Sequence, residues 1–155
     1  MIRDLIALLV AVLFPPEAAE TASTALPPIV ELPELKTRIA LPAATMQRGR
    51  WKTTGSGCIV WQLALRVPAP ITISVHLTGL SAEGEVRVYA AANSALRGGP
   101  YPDARARGNR QWSDPLKTSM VIVEYAPVNR SRRIPFRIYE VAHAIIETNE
   151  HEPIE

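Results

Sequence analysis

The sequence predicts an all-β fold, and three features of its patterning support this prediction. Between Trp61 and His143, apolar and polar residues alternate in several runs, as in strands with one buried face. Glycine, proline and asparagine fall between these runs, where turns are needed. The 14 prolines favour extended segments and chain breaks over helices. We therefore predict an antiparallel sandwich of two sheets, jelly-roll-like, with about seven or eight strands.

The alternation assigns an inward face to each predicted strand. A first strand begins at Cys58 or just after it, and a second follows the break that Pro68 and Pro70 make. Each strand presents every second residue to the core. The predicted core positions are Ile59, Trp61, Leu63, Leu65, Val67, Ile71, Ile73, Val75, Leu77, Val86, Val88, Val121, Val123, Tyr125, Ile134, Phe136 and Ile138.

The residues between these positions are predicted to face outward. Gln62 belongs to this set, and His76 is expected to be a solvated or edge residue. Val141 breaks the alternation of the last strand and predicts a bulge or a strand end. Short strands over 37–41 and 110–112 complete the predicted count.

Composition divides the chain into four parts. Arg3 precedes an apolar run over residues 5–14, which is too short to span a bilayer of about 30 Å as a helix and is typical of a secretory signal. We expect cleavage near Ala25, a secreted or periplasmic protein, and no stable membrane span after cleavage. The four predicted parts are a signal peptide (1–25), a Pro- and Ala-rich linker (26–35), the β-sandwich domain (36–146) and an acidic tail (147–155).

Charge and cysteine content narrow the function classes. The chain has 17 basic and 15 acidic residues, so no overall field steers it toward nucleic acid. The single cysteine, Cys58, cannot form an intramolecular disulfide. Because it precedes an apolar strand, we expect it to act as a small hydrophobic residue.

The order of several short motifs resembles a known family. The motifs are Trp61-x-Leu63, Val86-Arg87-Val88-Tyr89, Gly99-Pro100-Tyr101, Trp112-Ser113, Val121-Ile122-Val123-Glu124-Tyr125-x-Pro127 and Val141-Ala142-His143. In this order they resemble the non-catalytic N-terminal β-sandwich domain of secreted bacterial trypsin-fold serine proteases of the lysyl endopeptidase type. The resemblance covers roughly residues 45 to 146.

The resemblance implies an accessory role, with a trypsin-fold serine protease as the partner that the domain assists or restrains. Three departures weaken it. Ala90 stands where the family has aspartate, Lys117-Thr118-Ser119 replaces an acidic turn, and Ala144-Ile145-Ile146 replaces the closing Gly-Tyr-Arg. The chain also carries no Gly-Asp-Ser-Gly nucleophile motif, so we expect no enzymatic activity.

A basic loop supports a different function, carbohydrate or cell-surface binding. Arg105 and Arg107 lie in this loop, and Tyr101 and Trp112 flank it. Aromatic rings beside cations can bind sugars, so these four residues are the predicted contacts for a ligand or partner. A solvated hairpin loop is the simpler alternative, and a second arginine cluster lies at 130–133.

The sequence shows no local pattern for catalysis, a cofactor or a metal site. Its histidines, His76, His143 and His151, lie in no recognisable nucleophile or metal-ligand motif. We therefore expect no catalytic, cofactor or metal-ligating residues.

Overall fold

The computed structural model describes residues 26–143, which form one sheet of nine strands. The predicted all-β, sandwich-like class is confirmed. All strand pairs are antiparallel except β1 with β4. The elements are β1 (Ile29–Glu31), β2 (Arg38–Ala40), a 3-10 helix (Ala43–Arg48), β3 (Arg50–Thr53), β4 (Ile59–Thr78), β5 (Gly84–Ala90), β6 (Asn93–Tyr101), β7 (Gln111–Trp112), β8 (Leu116–Pro127) and β9 (Arg137–His143).

The 20-residue strand β4 organises the sheet. Its first half pairs with β8 on one edge and with β3 and β1 on the other. Its second half pairs with β9 and β7. The pairing register with β8 shifts between Arg66 and Ile71, around the prolines that were predicted to separate two strands. Proline removes ladder hydrogen bonds there without ending the strand, so a single sheet supplies both layers of the sandwich.

The core lies between the two layers. Trp61, Leu63 and Leu65 from the first half of β4 are almost fully buried, as are Val75 and Leu77 from the second half. Burial of each aliphatic side chain stabilises the fold by about 1.5–3 kcal/mol relative to leaving it exposed. The predicted core positions that are buried also include Val67, Ile73, Val86, Val88, Val121, Val123, Tyr125, Phe136 and Ile138.

The bulge predicted near Val141 is confirmed. His76 pairs with Glu140 and the next residue of β4, Leu77, pairs with Ile138, so Tyr139 is the extra residue. The bulge resets the alternation of β9. Ile138 and Val141, three residues apart, are therefore both fully buried.

The predicted linker over 26–35 is wrong in its second half. Strand β1 pairs in parallel with β4, and the Leu32 amide donates to the Arg66 carbonyl at 2.8 Å. Val30, Leu32 and Leu35 are buried in the core. Because the segment is rich in proline, its short alternation of apolar residues was not recognised. This alternation forms an edge strand of the sheet.

Short elements raise the strand count above the predicted seven or eight. Besides β1, the prediction missed β3 and the 3-10 helix over Ala43–Arg48. It also placed a turn at Gly98-Gly99-Pro100, which instead lies within β6, with a cis peptide bond between Gly99 and Pro100.

Gln62 lies on the outer face of the sheet, as predicted, and neighbouring side chains cover it there. Its Nε2 donates to Glu124 at 2.7 Å and to Tyr89 at 3.2 Å. Cys58 is exposed rather than packed, since the chain leaves a turn there and β4 begins one residue later.

The predicted signal peptide, the acidic tail and residues 144–146 lie outside the described residues. Within 26–143, no helix is long and apolar enough to cross a membrane.

Candidate functional site

A cleft of about 390 Å³ opens where β7 meets the 102–110 loop. We call it the Trp112 cleft. One wall comes from the outer face of the sheet and the other from the loop. Its lining residues are His76, Arg105, Arg107, Arg110, Gln111, Trp112, Ser113, Asp114 and Pro115.

The floor of the cleft is built on a cross-strand aromatic pair. His76 of β4 lies directly opposite Trp112 of β7, and their rings stack with centroids 4.6 Å apart and planes at 11°. Tyr139 packs edge-on against His76 at 5.7 Å, and the His76 Nδ1 lies 3.1 Å from Glu140 Oε1. The His76 side chain is only 15% exposed, so the expectation of a solvated histidine is wrong.

Two side chains from other strands of the sheet contact the indole of Trp112. Strand order places β4, β9 and β2 all to one side of β7. His76 comes from β4, and the Arg38 guanidinium, from β2, lies 5.9 Å from the Trp112 ring. The Trp112 side chain is half-buried, and it lines the cleft together with the arginines of the loop.

A cluster of two carboxylates and one guanidinium fixes the base of the loop. Arg105 donates to Asp103 Oδ2 at 2.6 Å and to Asp114 Oδ1 at 2.7 Å. Gln111 Nε2 also donates to Asp103, at 2.5 Å. The hydrogen bonds from Arg105 lower the pKa of Asp103 to about 2 and also lower the pKa of Asp114. Both acids are therefore ionised at neutral pH, and together with Arg105 they carry a net charge of −1.

Tyr101 does not reach the cleft. It is fully buried beneath the loop, and burial raises the pKa of its hydroxyl. The hydroxyl donates to Asp114 Oδ2 at 2.8 Å and accepts from the Asp114 amide at 2.7 Å. Its predicted role as a ligand contact is replaced by a structural one, since no ligand can stack on a ring with no exposed surface.

The tip of the loop is a tight turn that pairs two arginines. The amide of Arg107 donates to the Arg110 carbonyl at 3.0 Å, and the amide of Arg110 donates back at 3.3 Å. Gly108 adopts a φ of 64°, the left-handed conformation that glycine supplies at little cost. We call residues 107–110 the arginine turn.

Of the four predicted contact residues, Trp112, Arg105 and Arg107 line one cleft and Tyr101 does not. His76 and Asp114 were missed as cleft residues. No sequence pattern could pair His76 with Trp112, because the two lie 36 positions apart and meet only through the register of β4 and β7. Asp114 gave a weak signal, as one carboxylate beside a basic loop.

The polar groups that line the cleft include Ser113 and three arginines. The Ser113 hydroxyl accepts from the Val75 amide at 2.8 Å and is buried. No group of three or more His, Cys, Asp or Glu side chains between residues 26 and 143 could hold a metal ion. What the cleft offers a ligand is an indole, exposed guanidinium groups and the edge of a loop.

No family model matches the chain, and comparisons with curated proteins and with solved structures find no match.

Proposed function

We propose that this chain is an exported, non-catalytic β-sandwich module that binds carbohydrate in the Trp112 cleft. The observation that carries the proposal is the position of the Trp112 indole, which stacks on His76 at the edge of a 390 Å³ cleft. A sugar ring has an apolar face that stacks on an indole and hydroxyl groups that accept hydrogen bonds from guanidinium groups.

Preorganisation strengthens this assignment. A free indole loses rotational freedom when a ligand binds, and this entropy loss weakens binding. Here His76 already fixes the Trp112 ring, and Glu140 in turn holds His76. The cleft therefore needs little rearrangement to receive a ring.

A second candidate function is the accessory role that the family resemblance implies. It is supported by the outer edge of β6, which among residues 26–143 pairs only with β5. Five consecutive residues of that strand, 93–97, are exposed, and Leu96 has 39% of its surface accessible. Another protein can add a strand to such an edge, which is a common mode of recognition.

One experiment separates the two candidates. The purified chain is applied to a glycan array and, in parallel, to an immobilised trypsin-fold lysyl endopeptidase. Carbohydrate binding should weaken by about tenfold or more in Trp112→Leu, which keeps apolar bulk but loses the stacking platform. Leu96→Lys is the matched control and should bind glycans normally.

The accessory role predicts the opposite pattern. The protease would be retained by the wild type and by Trp112→Leu, and released by Leu96→Lys. Carbohydrate binding that ignores the Trp112 substitution would refute the proposed site, and the absence of any bound glycan would refute the proposed function.

A further inference from the structure

We infer that the ligand of the Trp112 cleft is an acidic carbohydrate, and that the arginine turn binds its carboxylate or sulfate group. The inference rests on the proposed function for the sugar. Its anionic part rests on a separate observation, the charges that face the cleft.

The arginine turn brings two positive charges together. Arg107 and Arg110 exchange both backbone hydrogen bonds, so they form a directly opposed antiparallel pair. Side chains of such a pair leave the ladder on the same side, with Cα atoms about 5.5 Å apart. Like charges directly opposite each other are destabilising. An oxyanion between the two guanidinium groups would remove this repulsion.

No carboxylate of the described residues neutralises the pair. Asp103 and Asp114 both bind Arg105, and Glu140 contacts His76 and Arg38. Neither Arg107 nor Arg110 has an ion pair within residues 26–143, and both are exposed. The turn therefore presents two guanidinium groups without ion pairs beside the cleft, and the cluster of Asp103, Arg105 and Asp114 offsets only one of these two charges.

The two halves of the cleft match one kind of ligand. Guanidinium groups bind carboxylate and sulfate oxygens through paired, charge-assisted hydrogen bonds. The Trp112 indole lines the same cleft and can hold a ring. A uronic acid or a sulfated sugar carries a ring and an oxyanion within a single residue.

The test uses matched pairs of probes. The chain is titrated by calorimetry with an oligogalacturonate and with the same oligomer after methyl esterification, which removes the charge and adds one methyl group to each carboxylate. Dextran sulfate against dextran forms the sulfate arm. The acidic member of at least one pair should bind about tenfold or more tightly than its neutral partner at low salt. The arm that shows this gain identifies carboxylate or sulfate as the recognised group.

Variants assign the effect to the turn. The double variant R107Q/R110Q should lose the gain, and R107K/R110K should retain much of it because the charge remains. R130Q/R132Q is the matched control. It removes the same two charges from an exposed loop that does not line the cleft, and it should behave as the wild type. Thermal melts confirm that each variant is folded.

The outcomes separate the inference from the proposed function. Equal binding of acidic and neutral probes that still needs Trp112 would overturn the inference and leave the proposed function standing. Absence of binding to every probe would overturn both. Polyglutamate or single-stranded DNA binding as tightly as the acidic sugars would overturn the inference, since the turn would then attract any polyanion. An unchanged charge preference in R107Q/R110Q would overturn it as well.

Discussion

At the scale of single residues, the cleft depends on buried side chains that support its structure from within. Tyr101 was expected to contact a ligand, yet it holds the loop from below through Asp114. Gly98 lies against the tyrosine hydroxyl, where any larger residue would collide with it. The sequence pattern, an aromatic residue beside arginines, correctly indicated the position of Tyr101 next to the loop but not its role. Whether a side chain is buried depends on the fold around it.

Tyr101→Phe should destabilise the domain by about 1–3 kcal/mol, because it leaves the part-buried Asp114 amide without its acceptor. Urea denaturation measures the change. Tyr139→Phe is the matched control, since that ring is 45% exposed and its hydroxyl makes no hydrogen bond to a described residue. Equal stabilities of the two variants would contradict the structural role of Tyr101.

The Asp103, Arg105 and Asp114 cluster predicts a stability change in acid. The pKa of Asp103 is lowered to about 2 in the folded chain, from about 3.9 in an unfolded one. The cluster therefore contributes its full stability above about pH 4 and loses it as the pH falls toward about 2. Denaturation of the wild type and Asp103→Asn at several pH values measures this. The variant should show a shallower decline over that window, and parallel curves would refute the prediction.

At the scale of elements, the structure shows which strands the alternation could reveal. The run through Val86 was found because it buries every second residue of its strand. The short strands β2 and β7 lie within the predicted segments 37–41 and 110–112, but β1 and β3, with three and four residues, are too short for a period to be recognised. Their positions depend on long-range pairing with β4, which sequence patterns do not encode. The cleft beside β7 was for this reason only partly predictable.

The role of the segment before β2 can be tested directly. Leu35→Ala should cost about 2–3 kcal/mol, because this leucine is 4% exposed within the core. Leu26→Ala is the matched control, as Leu26 is 59% exposed. Chemical denaturation of both variants decides the matter. If residues 26–35 were a linker, the two substitutions would have the same small effect.

At the scale of the whole molecule, one bent strand joins both layers of the sandwich. Strands β3 and β1 pair with the first half of β4, β9 and β7 pair with its second half, and β8 pairs with both, while core side chains from both halves pack together. The two layers should therefore not unfold separately. Tryptophan fluorescence and far-ultraviolet circular dichroism should give coincident denaturation curves. Two separate transitions would show that β4 does not couple the layers.

The proposed function and the further inference both place a binding site for acidic carbohydrate in the Trp112 cleft. The most direct measurement is nuclear magnetic resonance of the isotope-labelled chain during titration with an oligogalacturonate. We predict that the Trp112 indole signal and the amides of Arg107 and Arg110 shift together and saturate with one affinity. Shifts confined to the β6 edge, or spread evenly over exposed arginines such as Arg130, would contradict the claim.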